Sequence, residues 1–456
     1  MKKKVSYYLL ILFITTALGF SIFFNITYSQ FNSNNVKKNI ANFSSQTYSG
    51  RLPGSDENNL VAEIIRKNFQ DNKLTPLNDN YRENFNTVCP VKTNTQPYMQ
   101  ISTKGIVLEE LKYGVDFKDD MINFKKNTIT FSRADTVNIY TKSIDVITSD
   151  AKCLFYVNCK EDFSFRSSFS SDFPYDMVIS VNTNTYNKIL DSVRKGLEIS
   201  VHVPFENEEK TISNVVGVLK GSSHKLPPLV LTAHYDHLGK DGLENLYSGA
   251  LDNASGTSFL LELQRSLSTY GKPKRDIIFV ALNAEEFGLL GSKEFAEKNI
   301  DKLHDAEVIN FDMIGSEGYP LTFMQGLSFK DKDSKLLKSV EKIAKNKGVK
   351  TEVVYQDSSD HASFNNAGID SLSFCHSDVS RIHTPNDTAE FISTNAIDTA
   401  YEVVEAKILG SSYGFLTRFF YSKISIILFS ILLIVWIAYG VKKRNVWIKY
   451  TLCQGE

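Results

Sequence analysis

Beyond Thr211 the chain alternates short, wholly apolar runs with amphipathic ones, and few folds accept that order. Residues 228–233 read as a buried strand, 255–270 as an amphipathic helix, 276–282 as a strand and 290–298 as a helix. A strand over 308–311, a helix over 334–347 and a last strand over 369–374 follow. Strands apolar on both faces and separated by helices pack as a largely parallel sheet covered by helices. The expected fold class is therefore α/β, a mostly parallel mixed sheet flanked by helices, over residues 208–410.

Upstream, residues 57–72 carry Leu60, Val61, Ile64, Ile65 and Phe69 at helical spacing, with Ser55 placed to cap the helix. Residues 30–84 are expected to form the first part of the same domain. Between 85 and 207 the pattern changes to short β-rich pieces, such as 128–131, 137–140 and 177–181, separated by polar loops. This is the expectation of an inserted β-rich domain without a catalytic cluster of its own.

Both ends are hydrophobic. Lys2, Lys3 and Lys4 precede an uncharged run from residue 5 to 35, longer than the roughly 20 apolar residues that cross a bilayer. Residues 1–29 read as a signal anchor or signal peptide. Residues 424–441 are again free of charge and apolar all round, giving an expected C-terminal transmembrane helix over 420–441. Lys442, Lys443, Arg444 and Lys449 follow it, against Arg418 and Lys423 before it, so the tail over 442–456 is expected in the cytoplasm. The N-terminal lysines argue for the same side, leaving residues 30–414 outside the cytoplasm.

With 51 basic and 52 acidic residues the chain has no polyanion-binding signature, which argues against a nucleic-acid partner. The five cysteines lack zinc-ribbon spacing; Cys153 and Cys159 could bridge locally, and reduced buried thiols are the plainer reading.

In open α/β sheets, ligands bind beyond the carboxyl ends of the strands. His234 and Asp236 follow one expected strand, Glu285 and Glu286 the next, and Asp312 the third. Asp252 precedes the 255–270 helix, where a carboxylate also serves as an ordinary N-cap, and His383 lies after the last strand. Singly, each has a plain explanation as a turn, surface or capping residue. Jointly they bring imidazoles, carboxylate ligands and a spare carboxylate to one sheet edge, the donor set that two metal ions and an activated water require.

The ordered motifs Ala-His234-Tyr-Asp236-His-Leu-Gly, Asp252-Asn-Ala-Ser-Gly, Glu285-Glu286-Phe-Gly, Asn310-Phe-Asp312-Met-Ile-Gly, Ser359-Asp-His361-Ala-Ser-Phe and Ile382-His383-Thr-Pro-Asn-Asp-Thr resemble the co-catalytic zinc aminopeptidases of clan MH. That group includes secreted bacterial leucine aminopeptidases, glutamate carboxypeptidases and glutaminyl cyclases. The resemblance covers about residues 42–80 and 211–408, and residues 85–207 stand where many members carry a protease-associated domain. It implies the zinc exopeptidase fold, two Zn2+ ions per chain and removal of N-terminal residues from peptides or proteins. On this resemblance Asp252 bridges both ions, His234 and Asp312 complete one, and Glu286 and His383 complete the other. Glu285 is the implied general base toward a water held between the ions, and Asp236 the carboxylate that orients His234. Many relatives place a tyrosine before the last histidine, where Ile382 stands here, which leaves Tyr355 as an alternative oxyanion donor. His237, His361 and His376 receive no ligand role; His361, lying in a shared motif, is expected to support the site. The expected protein is a membrane-anchored metallo-exopeptidase. Its alternatives are a carboxypeptidase or glutaminyl cyclase of the same clan, or a receptor-like ectodomain without catalysis.

Overall fold

Four wholly or largely buried strands run parallel through the centre of an eight-stranded sheet. The computed structural model describes residues 2–158, 162–223 and 225–452. The strand order is Arg82–Lys92, Phe205–Leu219, Ile277–Leu282, Leu229–His234, Glu307–Phe311, Asp370–His376, Leu321–Gln325 and Thr351–Tyr355. Leu229 stands opposite both Ile277 and Glu307, and Glu307 opposite Asp370, in parallel register. Antiparallel pairings join Arg82–Lys92 to Phe205–Leu219, the latter to Ile277–Leu282, and Asp370–His376 to Leu321–Gln325.

Alternating side chains divide this sheet between two cores, as the two-residue repeat of a strand requires. Leu229, Leu231 and Ala233 pack with Val61, Ile65 and Phe69 of helix Asp56–Asp71, with Phe259 and Leu263 of Gly256–Thr269, and with Ile397 and Val404 of Thr394–Ser412. Val230, Ile278 and Val280 face the other way, toward Phe295 of Leu290–Lys298 and Phe364 of His361–Asn366. The expected helix near 57–72 is Asp56–Asp71, and Ser55 caps it, its hydroxyl accepting from the Asn58 amide at 3.1 Å. The outer strands Leu321–Gln325 and Thr351–Tyr355 and the helix Ser33–Phe43 are additions that the sequence pattern did not separate.

Between Lys92 and Phe205 the chain builds two further sheets, one of four strands and one of five, with a helix over Thr183–Lys195. Phe117, Phe124, Phe131 and Phe155 lie in a core that continues into Leu238, Tyr247, Ala284 and Phe287, in loops of the large sheet. The β-rich region is thus joined to the large sheet through shared apolar packing. Cys89, Cys153 and Cys375 are buried free thiols; Cys159 and Cys453 lie outside the described residues.

Two helices, Lys2–Thr27 and Lys423–Leu452, are long and apolar enough to cross a membrane. They pack against each other through Ile14, Ala17 and Phe429, and the Tyr7 hydroxyl donates to the Trp436 carbonyl at 3.0 Å. Leu9, Leu12, Phe13, Ile431 and Ile434 remain exposed, an outward apolar surface that lipid would cover. The second helix continues past residue 441 to Leu452.

Candidate metal centre

The site lies where the central strands end. His234 closes Leu229–His234, Glu285 and Glu286 form the turn after Ile277–Leu282, and Asp312 follows Glu307–Phe311. Asp252 sits in an irregular turn over Ala250–Ser255 ahead of helix Gly256–Thr269, and its peptide to Asn253 is cis. Backbone strain surrounds these groups: Ala284, Met313 and His383 are non-glycine residues at φ 58°, 56° and 58°, each costing on the order of 1 kcal/mol.

All five expected ligands converge, and Asp252 divides them into two groups. His234 Nε2 lies 3.4 Å from Asp252 Oδ1 and 3.5 Å from Asp312 Oδ1. His383 Nε2 lies 3.3 Å from Asp252 Oδ2 and 3.3 Å from Glu286 Oε2. Asp252 is therefore not a helix cap; it offers one oxygen to each group. These separations are long for hydrogen bonds, but tetrahedral donors on zinc bonds of about 2.0–2.1 Å stand roughly 3.3 Å apart. Both ring nitrogens of His234 and Asp312 Oδ1 are buried without a hydrogen-bond partner, an orphaning that a coordinated cation removes.

His383 also has the tautomer a ligand needs. Its Nδ1 lies 3.0 Å from the Arg166 carbonyl, which can only accept, so in the neutral ring Nδ1 carries the hydrogen and Nε2 the lone pair. His237 is an alternative donor by proximity to Asp252 and Glu286. Its Nδ1 braces Glu286 Oε1 at 2.8 Å and its Nε2 is buried without a hydrogen-bond partner, whereas His383 Nε2 stands 3.3 Å from both Asp252 and Glu286.

Charge balance points the same way. Asp236, Asp252, Glu286, Asp312, Asp360 and Asp387 are all buried, with Glu285 partly so, while Arg51 is a buried cation facing them. Burial opposes charge on His234, yet Glu285 and the carboxylates of Asp236, Asp252 and Asp312 hold its pKa well above the ordinary value. Burial likewise opposes charge on His383, but Glu286 and Asp252 push it up to about 9. Burial, reinforced by Glu286, Asp360 and Asp312, raises Glu285 well above the usual carboxylate range despite the lowering influence of His234. Such an excess of negative charge is the environment that divalent cations neutralise. The residues present fit a pair of metal ions.

Asp236, expected to orient His234, makes its hydrogen bonds elsewhere. Its Oδ1 is 3.6 Å from His234 Nδ1, wider than a hydrogen bond, while its two oxygens accept the amides of Glu285 and Glu286 at 3.2 Å each. Asp387 takes the amides of Leu251 and Asp252 at 2.8 and 3.0 Å, and Ser359 donates to Asp312 Oδ2 at 2.6 Å. His361 is braced by Ser373 and by the Gln356 carbonyl at 2.8 and 2.9 Å, and Asn310 joins Ser373 to Ser359. Tyr355 ends the outermost strand, two strands from Asp370–His376. Asp360 is buried with both oxygens unpaired, and burial pushes it up to about 7. His237, Asp387 and Ser359 lay inside motifs visible in the sequence, but only the tertiary contacts reveal what they hold.

Comparison with known proteins identifies the class as a metallo-exopeptidase. Residues 214–408 match the model of Peptidase family M28. Aminopeptidase YwaD of Bacillus subtilis (strain 168) is 28% identical over 316 residues, 67% of this chain and 67% of its own. Aminopeptidase NAALADL1 of Mus musculus is 38% identical over 125 residues, 26% of this chain but 16% of the mouse protein, so there the match is confined to the site-bearing core. Among solved structures, an aminopeptidase from Aneurinibacillus sp. strain AM-1 superposes with a TM-score of 0.58 at 19% identity, covering 84% of this chain and 94% of its own. BSAP, a zinc aminopeptidase from Bacillus subtilis, gives 0.57 at 19% identity, covering 84% and 96%. These likenesses show a common fold.

Proposed function

We propose that this protein is a membrane-anchored, zinc-dependent aminopeptidase that releases N-terminal residues from peptides outside the cytoplasm. The observation that carries the reading is Asp252, one oxygen in the His234–Asp312 group and the other in the His383–Glu286 group at 3.3–3.4 Å. The relatives named as aminopeptidases support the choice among exopeptidases.

His234, Asp252 and Asp312 would hold one zinc ion, and His383, Asp252 and Glu286 the other. When bound, the pair supplies Lewis-acid polarisation of the scissile carbonyl and acidifies water. Glu285 takes the proton from the attacking water and returns it to the leaving amine. Asp236, holding the Glu285 and Glu286 amides, fixes the turn that points the base and the ligand in different directions. The terminal helices span the bilayer with both ends cytoplasmic, in keeping with the lysines that flank them.

The test is turnover of aminoacyl-p-nitroanilides and N-blocked peptides by the full chain in detergent, with metal analysis and Glu285→Gln alongside. The expected result is chelator-sensitive release from free-amine substrates alone, lowered by about 10²-fold or more in Glu285→Gln, with metal content unchanged. Cleavage at the carboxyl end, or cyclisation of N-terminal glutamine, would move the protein to another exopeptidase-clan activity. A folded chain that binds no metal would leave a receptor-like ectodomain.

A further inference from the structure

The β-rich region reaches the candidate metal centre through one irregular stretch, residues 162–170, between the strands Lys152–Val157 and Met177–Val181. The Arg166 amide donates to the His383 carbonyl at 2.9 Å, while the Arg166 carbonyl accepts from His383 Nδ1. The Phe169 amide donates to the Glu286 carbonyl at 2.9 Å. The Ser168 hydroxyl donates to Glu286 Oε2 at 2.8 Å, the same oxygen that faces His383 Nε2 at 3.3 Å. Phe165 stacks over the His383 ring, 5.7 Å between centroids.

This stretch is anchored firmly enough to position what it touches. The Arg166 guanidinium is buried and donates through Nη1 to the Leu238 and Lys240 carbonyls at 2.7 Å each. It lies over the Phe205 and Tyr247 rings at 5.0 and 5.6 Å. Lys118, paired with Asp241 at 3.1 Å, donates to the Phe163 carbonyl, and Tyr247 donates to that of Ser164. The stretch is therefore tied at both of its sides to the loop that follows the His234 strand.

We infer that Ser168 is a positioning residue for the Glu286–His383 half of the metal centre, so that the β-rich region is part of the active centre and not an appended module. The inference rests on the two-metal reading above. Glu286 is gripped at one oxygen by His237 and at the other by Ser168. A carboxylate oxygen accepts more than one partner, so a hydroxyl donor leaves a lone pair free for a cation and removes the rotational freedom that would otherwise be lost on binding. His234 and Asp312 receive nothing from this stretch in the described contacts, so the effect is confined to one of the two positions.

The experiment is zinc binding by the metal-free full chain in detergent, followed by competition with a chromogenic chelator, for wild type, Ser168→Ala and Ser168→Thr. Wild type is expected to take two ions. Ser168→Ala should keep one at wild-type affinity and bind the other about 10–100-fold more weakly, the usual cost of removing a group that hydrogen-bonds a ligand. Ser168→Thr, which keeps the hydroxyl, should recover most of the loss, and the thermal midpoints of the three metal-free proteins should coincide. Two undiminished ions in Ser168→Ala, or equal weakening of both, would overturn the role of Ser168 alone. Fewer than two ions in wild type would overturn the two-metal reading and the inference with it.

Discussion

His361 and His376 are buried, and desolvation lowers each to about 4. His376 Nδ1 accepts the Gly315 amide at 3.1 Å, a bond that exists only while that nitrogen is unprotonated. The folded chain keeps both rings neutral until about pH 4, whereas the unfolded chain protonates them below about pH 6.5. For these two rings the unfolded state binds more protons across that interval, so their contribution to stability falls as pH drops from about 6.5 to 4, while Asp360, held up to about 7, contributes with the opposite sign. The loss approaches on the order of 3 kcal/mol per ring at the acid end. Urea midpoints of metal-free wild type and His376→Asn, compared at several pH values, should differ by one ring's share of this slope. A pH-independent difference between the two would mean the His376 ring is already accessible to protons in the folded chain.

Among elements, several connecting loops meet at the buried cation of Arg51. Arg51, in the left-handed region at φ 52°, donates to the carbonyls of Phe43, Tyr235, Ser248 and Gly249 at 2.7–2.9 Å. Burial brings its pKa down to about 10, still charged at neutral pH, with Asp236 and Asp387 holding it up. Three stretches of chain thus meet at one side chain. Arg51→Met should destabilise by about 3 kcal/mol or more, since each stranded buried carbonyl costs about 1–3 kcal/mol. Arg51→Lys should recover little, because an ammonium lacks the flat fork. A denaturation midpoint within experimental scatter of wild type for Arg51→Met would refute this. The same contrast marks what a sequence reveals. Leu229–His234 and Ile277–Leu282 are legible because helices bury both of their faces, leaving unbroken apolar runs. Thr351–Tyr355 is half-exposed at an edge, and its short mixed pattern resembles loop. The meeting of His234, Asp252, Glu286, Asp312 and His383 follows from the strand order. Ser168 and Arg166 carry no periodic signal, because their contacts to Glu286 and His383 span 118 and 217 positions of chain.

At the scale of the whole molecule, the two apolar helices attach far from the chemistry. The Tyr28 hydroxyl meets Ser266, and the Ser29 amide donates to Thr269, at 3.0 and 2.9 Å. Tyr270 packs against Tyr421 at 4.6 Å. All of these lie at the far end of Gly256–Thr269, the helix whose near end follows Asp252. A protein lacking residues 1–29 and 415–456 should therefore keep kcat/KM on short free-amine substrates within about twofold, since sites so far apart are nearly independent. A drop of about tenfold or more, roughly 1.4 kcal/mol at the transition state, would show that the anchor shapes the site. The 14 residues of that helix stand about 20 Å from end to end. If the paired apolar helices lie in a bilayer, as proposed, the length of this helix separates their attachment from the candidate metal centre.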